Sequence, residues 1–525
     1  MNIKFFITNP VGYYGEKHIL APIGSLYIAT VAKNKGCEVI FQDAYLEDPS
    51  FSFFKQRLKK ERPDIIGVTC NVEDRLAGIK TAKIAKENLP SSIVVMGGPF
   101  PTMVHKEIIE KLSFVDIVVR HEGERPTKGI IDFLNKNKNL SDIKGITYRQ
   151  EDNKVKVNPE EDLISDLNSL PMPDFSMINI YDYKSYIPPE SAFKNMDEIK
   201  FASQKESNRA MANLIFGRGC PFNCVFCSAD SMWHRKLRML SPAKALEQVK
   251  YFLDKGVKDF VFQDDHLLAN KKWFLEFAEG LKGFQNPEDP LRYACLARID
   301  SIDDYTAKLI SESGGRMVTL GIENLSDNVL KLMNKKITAE QIWDTLDILK
   351  KYKITVRGGI LTETPGETFE DIFENIKKHN RLRKYLVQPG TMSPLRVYPG
   401  SPLEEIAKEN NQLNFSWLDN YKNPRNYLIG APAHVPVYEN IPHEKMLPFL
   451  VSKSLEVKDH YLSRSFIREF LKGKRGKEGA NFINKIKKPS LCIFGIIKYL
   501  TASPFNIISR FKFLWKVLTV KEKQR

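Results

Sequence analysis

The sequence predicts an α/β protein with two separate parallel-sheet domains followed by a mostly helical C-terminal region. Three observations carry that reading. Short β-branched runs alternate with helix-periodic segments through residues 1–150, a second such series occupies 205–411, and a proline-rich stretch, 151–204, lies between them. A chain of 525 residues with 42% apolar content has enough material for two or three independently packed cores.

In the first series the strands are Ile3 to Ile7, Val39 to Gln42, Ile65 to Thr69, Ile93 to Met96 and Ile117 to Val119. Strands alternating with helices in this way make a doubly wound, Rossmann-like parallel sheet, which binds ligands outside the carboxyl ends of its strands. The loops at those ends are Asn9-Pro10, Asp43-Ala44-Tyr45 and Gly97-Gly98-Pro99-Phe100-Pro101-Thr102. A single Gly-Gly pair reads as an ordinary tight turn, but the joint placement of these loops points to a ligand. The segment 151–204 carries Pro171, Pro173, Pro188 and Pro189 and reads as a linker.

The second series predicts strands at Asn213 to Phe216, Phe260 to Gln263, Tyr293 to Ala297, Met317 to Ile322, Thr355 to Leu361 and Leu386 to Pro389. Helical patterns at Pro242 to Leu253, Lys272 to Leu281, Asp303 to Glu312 and Ala339 to Lys351 separate them. Six βα units make a partial (β/α)6 TIM-type barrel, whose chemistry belongs at the C-terminal strand ends. Those ends carry Cys220, Asp264, Asp265, Arg298, Glu323 and Glu363.

In the C-terminal region, 412–525, the run Leu491 to Ile497 is apolar and Ser503-Pro504 is a helix start. Beyond it Ile507, Phe511, Leu514 and Leu518 share one helical face opposite Lys512 and Lys516, flanked by Arg510, Trp515, Lys521 and Lys523. Such a basic amphipathic end suits either an anionic membrane surface or packing on the protein or a partner. The apolar content between the charges argues against nucleic acid. Net charge is +15; ten Lys or Arg against Glu522 alone fall after Ala480, leaving about +6 for the rest.

Seven cysteines, three of them within eight residues and the others (Cys37, Cys70, Cys295, Cys492) scattered, do not form a disulfide framework and fit a reducing cytoplasm. MNIKFFITNP reads as a first strand and not as a signal peptide, and no apolar run reaches the roughly eighteen residues of a membrane span.

The most specific motif is Gly217-Arg218-Gly219-Cys220-Pro221-Phe222-Asn223-Cys224-Val225-Phe226-Cys227. Its CxxxCxxC spacing converges three soft sulfur ligands, which select an iron–sulfur cluster or zinc. Three local ligands for a four-iron cluster leave one iron open to a substrate. A structural zinc site completed by His234 is the competing reading, although zinc sites usually arrive as paired Cys-x-x-Cys units.

This triad, with an aromatic before its last cysteine and on the loop after the first strand of a six-unit barrel, resembles the radical SAM superfamily over residues 213–411. The resemblance implies that Cys220, Cys224 and Cys227 ligate a 4Fe-4S cluster and that Phe226 lies near the adenine of S-adenosylmethionine. It also implies cofactor contacts from the segments carrying Asp264, Arg298, Glu323 and Gly359, where a structural ion pair is the plainer alternative for each charge. Residues 1–150 resemble the cobalamin-binding domain that precedes such barrels, on Ala21-Pro22-Ile23-Gly24-Ser25-Leu26-Tyr27-Ile28-Ala29, Gln42-Asp43-Ala44, Gly97 to Thr102 and Arg120-His121-Glu122-Gly123-Glu124. Asp43, Tyr45, Gly97, Gly98, Thr102 and Glu122 are the implied cobalamin contacts. The Asp-x-His-x-x-Gly signature is missing, since Ala44 and Tyr45 follow Asp43, so bound cobalamin would lack a histidine lower ligand.

By resemblance, S-adenosylmethionine has two uses: reductive cleavage to a hydrogen-abstracting 5'-deoxyadenosyl radical, and methylation of cobalamin. The implied activity is methyl transfer to an unactivated carbon of a small-molecule, apolar or lipid substrate, with a flavodoxin or ferredoxin as electron donor. The alternatives are a radical SAM cyclase, isomerase or oxidoreductase, a methylthiotransferase, and a non-catalytic cobalamin sensor. A methylthiotransferase should show three further N-terminal cysteines, and only Cys37 and Cys70 are there. The implied location is cytoplasmic, with contact at the inner face of the membrane through the C-terminal end.

Overall fold

The computed structural model describes residues 2–10, 20–48, 50–188, 208–362, 364–382, 384–386, 392–409 and 416–418. Glu363, Cys492 and the basic amphipathic end, Leu491 to Lys523, lie outside the described residues. The chain divides into two compact units: Met1–Gly321 with Trp343–Arg357 and Arg396–Val435, and Ile322–Ile342 with Gly358–Leu395 and Pro436–Arg525.

The first unit begins with a seven-stranded sheet: β1 (Lys4–Thr8), β2 (Glu38–Gln42), β3 (Ile65–Thr69), β4 (Ile93–Gly97), β5 (Ile117–Val119), β6 (Ile146–Arg149) and β7 (Val155–Val157). Their order is β2-β1-β3-β4-β5-β6-β7, with the first five parallel and the last two antiparallel. Helices α1 (Ile23–Asn34), α2 (Phe51–Glu61), α3 (Arg75–Asn88), α4 (Pro99–Met103), α5 (His105–Lys111) and α6 (Glu124–Leu134) connect the strands. Phe5, Ile65, Val95 and Ile117 are buried together with Ala29, Ala32, Ile130 and Ile131, so helices α1 and α6 cover one face. Full burial of each large apolar side chain contributes about 1.5–3 kcal/mol. The strand order reverses between β1 and β3, the position at which doubly wound sheets open a crevice. The sheet runs on past residue 150, because Val155–Val157 pairs with β6 through Thr147 and Val157.

A second parallel sheet lies in the same unit: β8 (Met211–Leu214), β11 (Asp259–Phe262), β12 (Arg292–Ala297), β13 (Gly315–Leu320) and β14 (Thr355–Arg357), in the order β14-β13-β12-β11-β8. Between β8 and β11 come a short antiparallel pair, β9 (Gly217–Arg218) with β10 (Arg238–Met239), and helices α7 (Ala229–Trp233) and α8 (Pro242–Leu253). Helices α9 (Lys271–Lys282) and α10 (Asp304–Glu312) follow β11 and β12. Each of these helices starts where its sequence dictates. Ser241 caps α8 ahead of Pro242, Asn270 caps α9 and Asp303 caps α10, each side chain accepting a first-turn N–H. The core under the sheet is aromatic. Phe216, Phe262, Trp273, Phe277 and Tyr293 pack with ring centroids 4.8–6.1 Å apart, and the Trp273 indole donates to the Leu240 carbonyl at 2.6 Å. At the opposite strand ends the buried Asp259 carboxylate takes both Nε and Nη2 of Arg292.

In the second unit β15 (Ile360–Thr362) and β16 (Met392–Pro394) pair in parallel beside α11 (Asp327–Leu332) and α13 (Phe369–Leu382). Helix α12 (Ala339–Lys351) precedes β14, and α14 (Pro402–Glu409) follows β16. Buried Asn375 donates to Asn324 Oδ1 at 2.8 Å and accepts from Leu325 N at 2.7 Å, fixing the turn after Glu323. The α/β class and the two parallel sheets match the sequence prediction; of the predicted Leu386 to Pro389 strand only Leu386 is described, and the last strand forms at Met392–Pro394.

Candidate cluster and cofactor site

The cysteine loop leaves the β9–β10 pair through Gly219, whose φ is +97°. A Cβ there would stand 2.4 Å from the Lys236 carbonyl oxygen, so only glycine lets the two strands of chain pass. Cys220, Cys224 and Cys227 follow as free, half-buried thiols, whereas Cys37, Cys70 and Cys295 are buried elsewhere. Burial pushes the Cys220 thiol up and the Cys227 thiol up to about 11; Cys220 also feels the charge of Cys224, and Cys227 that of Cys224 and Cys220. A cationic cluster would counter that effect of burial and favour the thiolates.

Their spacing bears on which metal centre they fit. Among the described residues, the donor triple lying within 4.8 Å is His121, Glu160 and His234, so the three thiols stand wider than ligands of one zinc. Thiolates on separate irons of a cluster are expected to be wider. His234, the residue that would complete a zinc site, has its Nε2 on Glu160 Oε1 at 2.7 Å instead.

Arg298, at the end of β12, faces the same loop. Its guanidinium lies 3.6 Å from the Phe222 ring centroid, Nη1 reaches Cys224 Sγ at 3.7 Å, and Nε and Nη2 are gripped by Asp300 at 2.9 Å each. Burial works against its charge, but Asp300 and the cysteines raise its pKa overall. After β11, Asp264 is buried with Oδ1 accepting from Gly217 N at 2.5 Å and Phe216 N at 3.1 Å, while Oδ2 has no hydrogen-bond partner. Burial outweighs those bonds and lifts its carboxyl to about 7. Burial also raises Asp265, whose charge acts on both Cys220 and Cys227.

Asp265 is also part of the wall of a cavity of about 530 Å³ over the carboxyl ends of β1, β3, β4 and β5. Gly67, Gly97, Gly98 and Gly123 line the cavity from the first sheet and its loops, and Gly217 and Arg218 of β9, Trp233 of α7 and Gln263 after β11 line it from the other side. Gly24 and Gly97 are its open points: a Cβ on Gly24 would meet nothing within 4 Å, and one on Gly97 nothing closer than 3.9 Å. A broad ligand fits against that bare backbone. Gly98, by contrast, has φ +101°, and a Cβ on it would stand 2.9 Å from the Cys70 carbonyl oxygen. The loop after β2 offers no imidazole, since Ala44 is buried with its N–H on Asn9 Oδ1.

A buried ionic lock joins the two sheets beside this cavity. Glu122 accepts from Arg218 Nη1 at 2.6 Å, Arg238 Nη1 at 2.9 Å and Ile164 N at 2.6 Å, and Glu124 accepts from Arg218 Nη2 at 2.5 Å. The two glutamates outweigh burial and raise the Arg218 pKa. The sequence offered no signal for Arg218 and Arg238 as partners of Glu122, because each lies about a hundred residues away in another domain.

The other sequence-derived candidates fall in several places. Asp43 is buried, accepting from Asn9 Nδ2 at 2.6 Å, Tyr183 Oη at 2.6 Å and Tyr45 N at 3.0 Å; Tyr45 Oη donates to Asp74. Neither Asp43 nor Tyr45 lines the cavity. Thr102 is buried, accepting from His121 N and donating to the Gly98 carbonyl. Phe226 is half-buried in the cysteine loop. In the second unit Glu323, at φ 60°, bridges to Ile360 and meets Lys335 Nζ at 3.4 Å, and Gly359 is half-buried ahead of β15.

Glycine-rich strand ends facing a loop of three free thiols define a class: an iron–sulfur enzyme with a second cofactor domain. Comparison with known proteins fixes the family. Residues 214–378 match the Radical SAM superfamily, and residues 17–131 match the B12 binding domain. An uncharacterized methyltransferase of Pyrococcus horikoshii is 30% identical over 393 residues, covering 75% of this chain and 79% of that one. An anaerobic magnesium-protoporphyrin IX monomethyl ester cyclase of Rubrivivax gelatinosus is 28% identical over 363 residues, covering 68% of this chain and 61% of that one. The solved structure of the cobalamin-dependent S-adenosylmethionine radical enzyme OxsB is 16% identical, covers 99% of this chain and 79% of that chain, and superposes with a TM-score of 0.66, a likeness of fold. The chain belongs to the radical SAM superfamily and carries an N-terminal B12-binding domain. It is a radical SAM enzyme whose cofactors are a 4Fe-4S cluster, S-adenosylmethionine and cobalamin, the last without a histidine lower ligand from the loop after β2.

Proposed function

We propose that this enzyme transfers a methyl group, by way of cobalamin, to an unactivated carbon of an apolar substrate. One observation carries the reading: Asp265 belongs both to the cavity wall over the first sheet and to the electrostatic surroundings of Cys220 and Cys227, so a ligand in that cavity adjoins the cysteine loop. When bound, the cluster with S-adenosylmethionine supplies a hydrogen-abstracting radical, and cobalamin supplies a transferable methyl group.

The protein's own part is placement and exclusion of water. Cys220, Cys224 and Cys227 would hold the cluster, and S-adenosylmethionine would bind beside them. Arg298, kept on Phe222 by Asp300, sets a fixed positive charge beside Cys224. Gly24 and Gly97 leave room for the corrin face, and the Glu122–Arg218–Arg238 lock holds the cavity walls together. Asp264, through Oδ1, fixes the backbone from which the cysteine loop starts. Asp43, Tyr45 and Thr102 support the loops around the cavity in this reading.

The name of the Rubrivivax gelatinosus relative favours a second reading, radical cyclisation. The apolar character of the substrate rests on the sequence of the C-terminal end, which lies outside the described residues. The deciding experiment reconstitutes the enzyme anaerobically with iron, sulfide and hydroxocobalamin, adds reductant, S-adenosylmethionine and apolar candidates, and quantifies 5'-deoxyadenosine and S-adenosylhomocysteine beside Cys224→Ala. Both products, with the first lost in the variant, are the expected result. Substrate-dependent 5'-deoxyadenosine without S-adenosylhomocysteine would replace methyl transfer by cyclase-type chemistry.

A further inference from the structure

Away from the cysteines, three segments of the first unit bring nitrogen and oxygen donors to one point. His121 follows β5, Glu160 follows β7, and His234 ends α7. Both imidazole Nε2 atoms address the same carboxylate oxygen, Glu160 Oε1, at 3.2 Å from His121 and 2.7 Å from His234. The two rings are tilted at 44° with centroids 5.4 Å apart.

The tautomer of His121 makes this arrangement informative. Its Nδ1 lies 3.1 Å from the Met232 carbonyl oxygen, which can only accept, so Nδ1 carries the proton. In a neutral ring Nε2 then presents a lone pair to a carboxylate oxygen. A ring nitrogen and a carboxylate oxygen 3.2 Å apart are placed as two donors that one cation could bridge. Metal-ligating histidines characteristically donate the other ring N–H to a backbone carbonyl, as His121 does.

We propose that His121 Nε2, a Glu160 carboxylate oxygen and His234 Nε2 form a zinc(II) site, separate from the iron–sulfur cluster. Two imidazoles and one carboxylate are a zinc donor set, and tetrahedral bonds of about 2.0–2.1 Å place the donors roughly 3.3 Å apart. The observed spacing needs only a small opening at His234. The fourth position is left for water or an exchangeable ligand. His121 and His234 both line a second cavity, of about 440 Å³, with Thr102, His105, Asp230 and Ser231. A metal here would tie the chain just beyond the cysteine loop to the first sheet and to the segment after β7.

The test uses the anaerobically reconstituted full chain, incubated with zinc(II), passed over chelating resin and analysed for zinc by mass spectrometry and zinc-edge X-ray absorption. Equimolar retained zinc with only nitrogen and oxygen neighbours, lost in His234→Asn and in Glu160→Gln but kept in Cys220→Ala/Cys224→Ala/Cys227→Ala, is the expected result. Iron content and circular dichroism of the His234→Asn and Glu160→Gln proteins show that loss of zinc is not loss of fold. No retained zinc in the parent protein, equal retention in the His234 and Glu160 variants, or sulfur neighbours at about 2.3 Å would each overturn the proposal.

Discussion

The side-chain amide of Asn213 clasps the backbone of Ala21 from both sides, accepting from its N–H and donating to its carbonyl, each at 2.8 Å. The same Nδ2 donates to Gln263 Oε1 at 2.6 Å. One buried amide on β8 thus fixes the loop entering α1 against the second sheet. Asn213→Ala is expected to lower stability by about 1–3 kcal/mol, since the Ala21 groups lose their partner. Asn213→Asp is expected to cost more, because its oxygen faces the Ala21 carbonyl where an N–H stood. Urea denaturation of both variants checks the order.

On the proposed reading a cluster held by Cys224 would lie beside the Arg298 charge, which would favour electrons on it. Arg298→Met is expected to shift the cluster potential to more negative values. Arg298→Lys should fall between, since an ammonium keeps the charge and loses the two-pronged grip of Asp300. Redox titration followed by electron paramagnetic resonance measures both, and an unchanged potential in Arg298→Met would remove this role.

The Cys227 thiol, lifted to about 11 by burial, is expected to be sluggish in the cluster-free protein. At pH 8 its thiolate fraction, and hence its rate with iodoacetamide, should be about a hundredfold below that of an ordinary thiol at 9.0, rising as pH approaches 11. Mass-spectrometric rates across pH, with the cluster absent, test this.

Asp264 gives a signed pH dependence. Burial lifts its carboxyl to about 7 in the folded chain against the ordinary 3.8, so the folded state binds the extra proton between those limits. The stability this contributes is complete below about pH 4 and is lost as pH rises through about 7. Asp264→Asn should flatten that part of the profile while costing about 1–3 kcal/mol at low pH through its altered bonds to Phe216 and Gly217. Thermal melts of the two proteins from pH 4 to 8 give the comparison.

Gly98→Ala is expected to disturb cobalamin retention more than the cluster. Its φ of +101° and the 2.9 Å approach to the Cys70 carbonyl force the loop after β4 to move, at a cost of about 1–3 kcal/mol. Cobalamin and iron contents measured on the same preparation separate the two effects.

Which parts of this could be read from residues alone follows from sequence distance. Ile65–Thr69 and Ile117–Val119 announced themselves because a parallel strand buried on both faces is a continuous β-branched run. The helices α8 and α10 were equally plain, their 3.6-residue periods opening at Pro242 and Asp303. Strand β7 was read as linker, since Val-Lys-Val is too short and too charged to signal an edge strand. The cysteine motif was legible because its three thiols are local in sequence. Glu122 was legible as part of a motif, yet its partners Arg218 and Arg238 are set by tertiary packing, which no local pattern encodes. The meeting of His121 with Glu160 and His234 was invisible for the same reason.

Gly219 gives the cysteine loop a point of failure that involves no ligand. Because the backbone there passes against the Lys236 carbonyl with no room for a methyl group, the three thiols are aimed by main chain meeting main chain. A variant screen that inspects only cysteines would score an alanine at this position as harmless, while the chain would have lost the bend that gathers them. A sequence that keeps all three cysteines can therefore still encode a chain in which they do not converge.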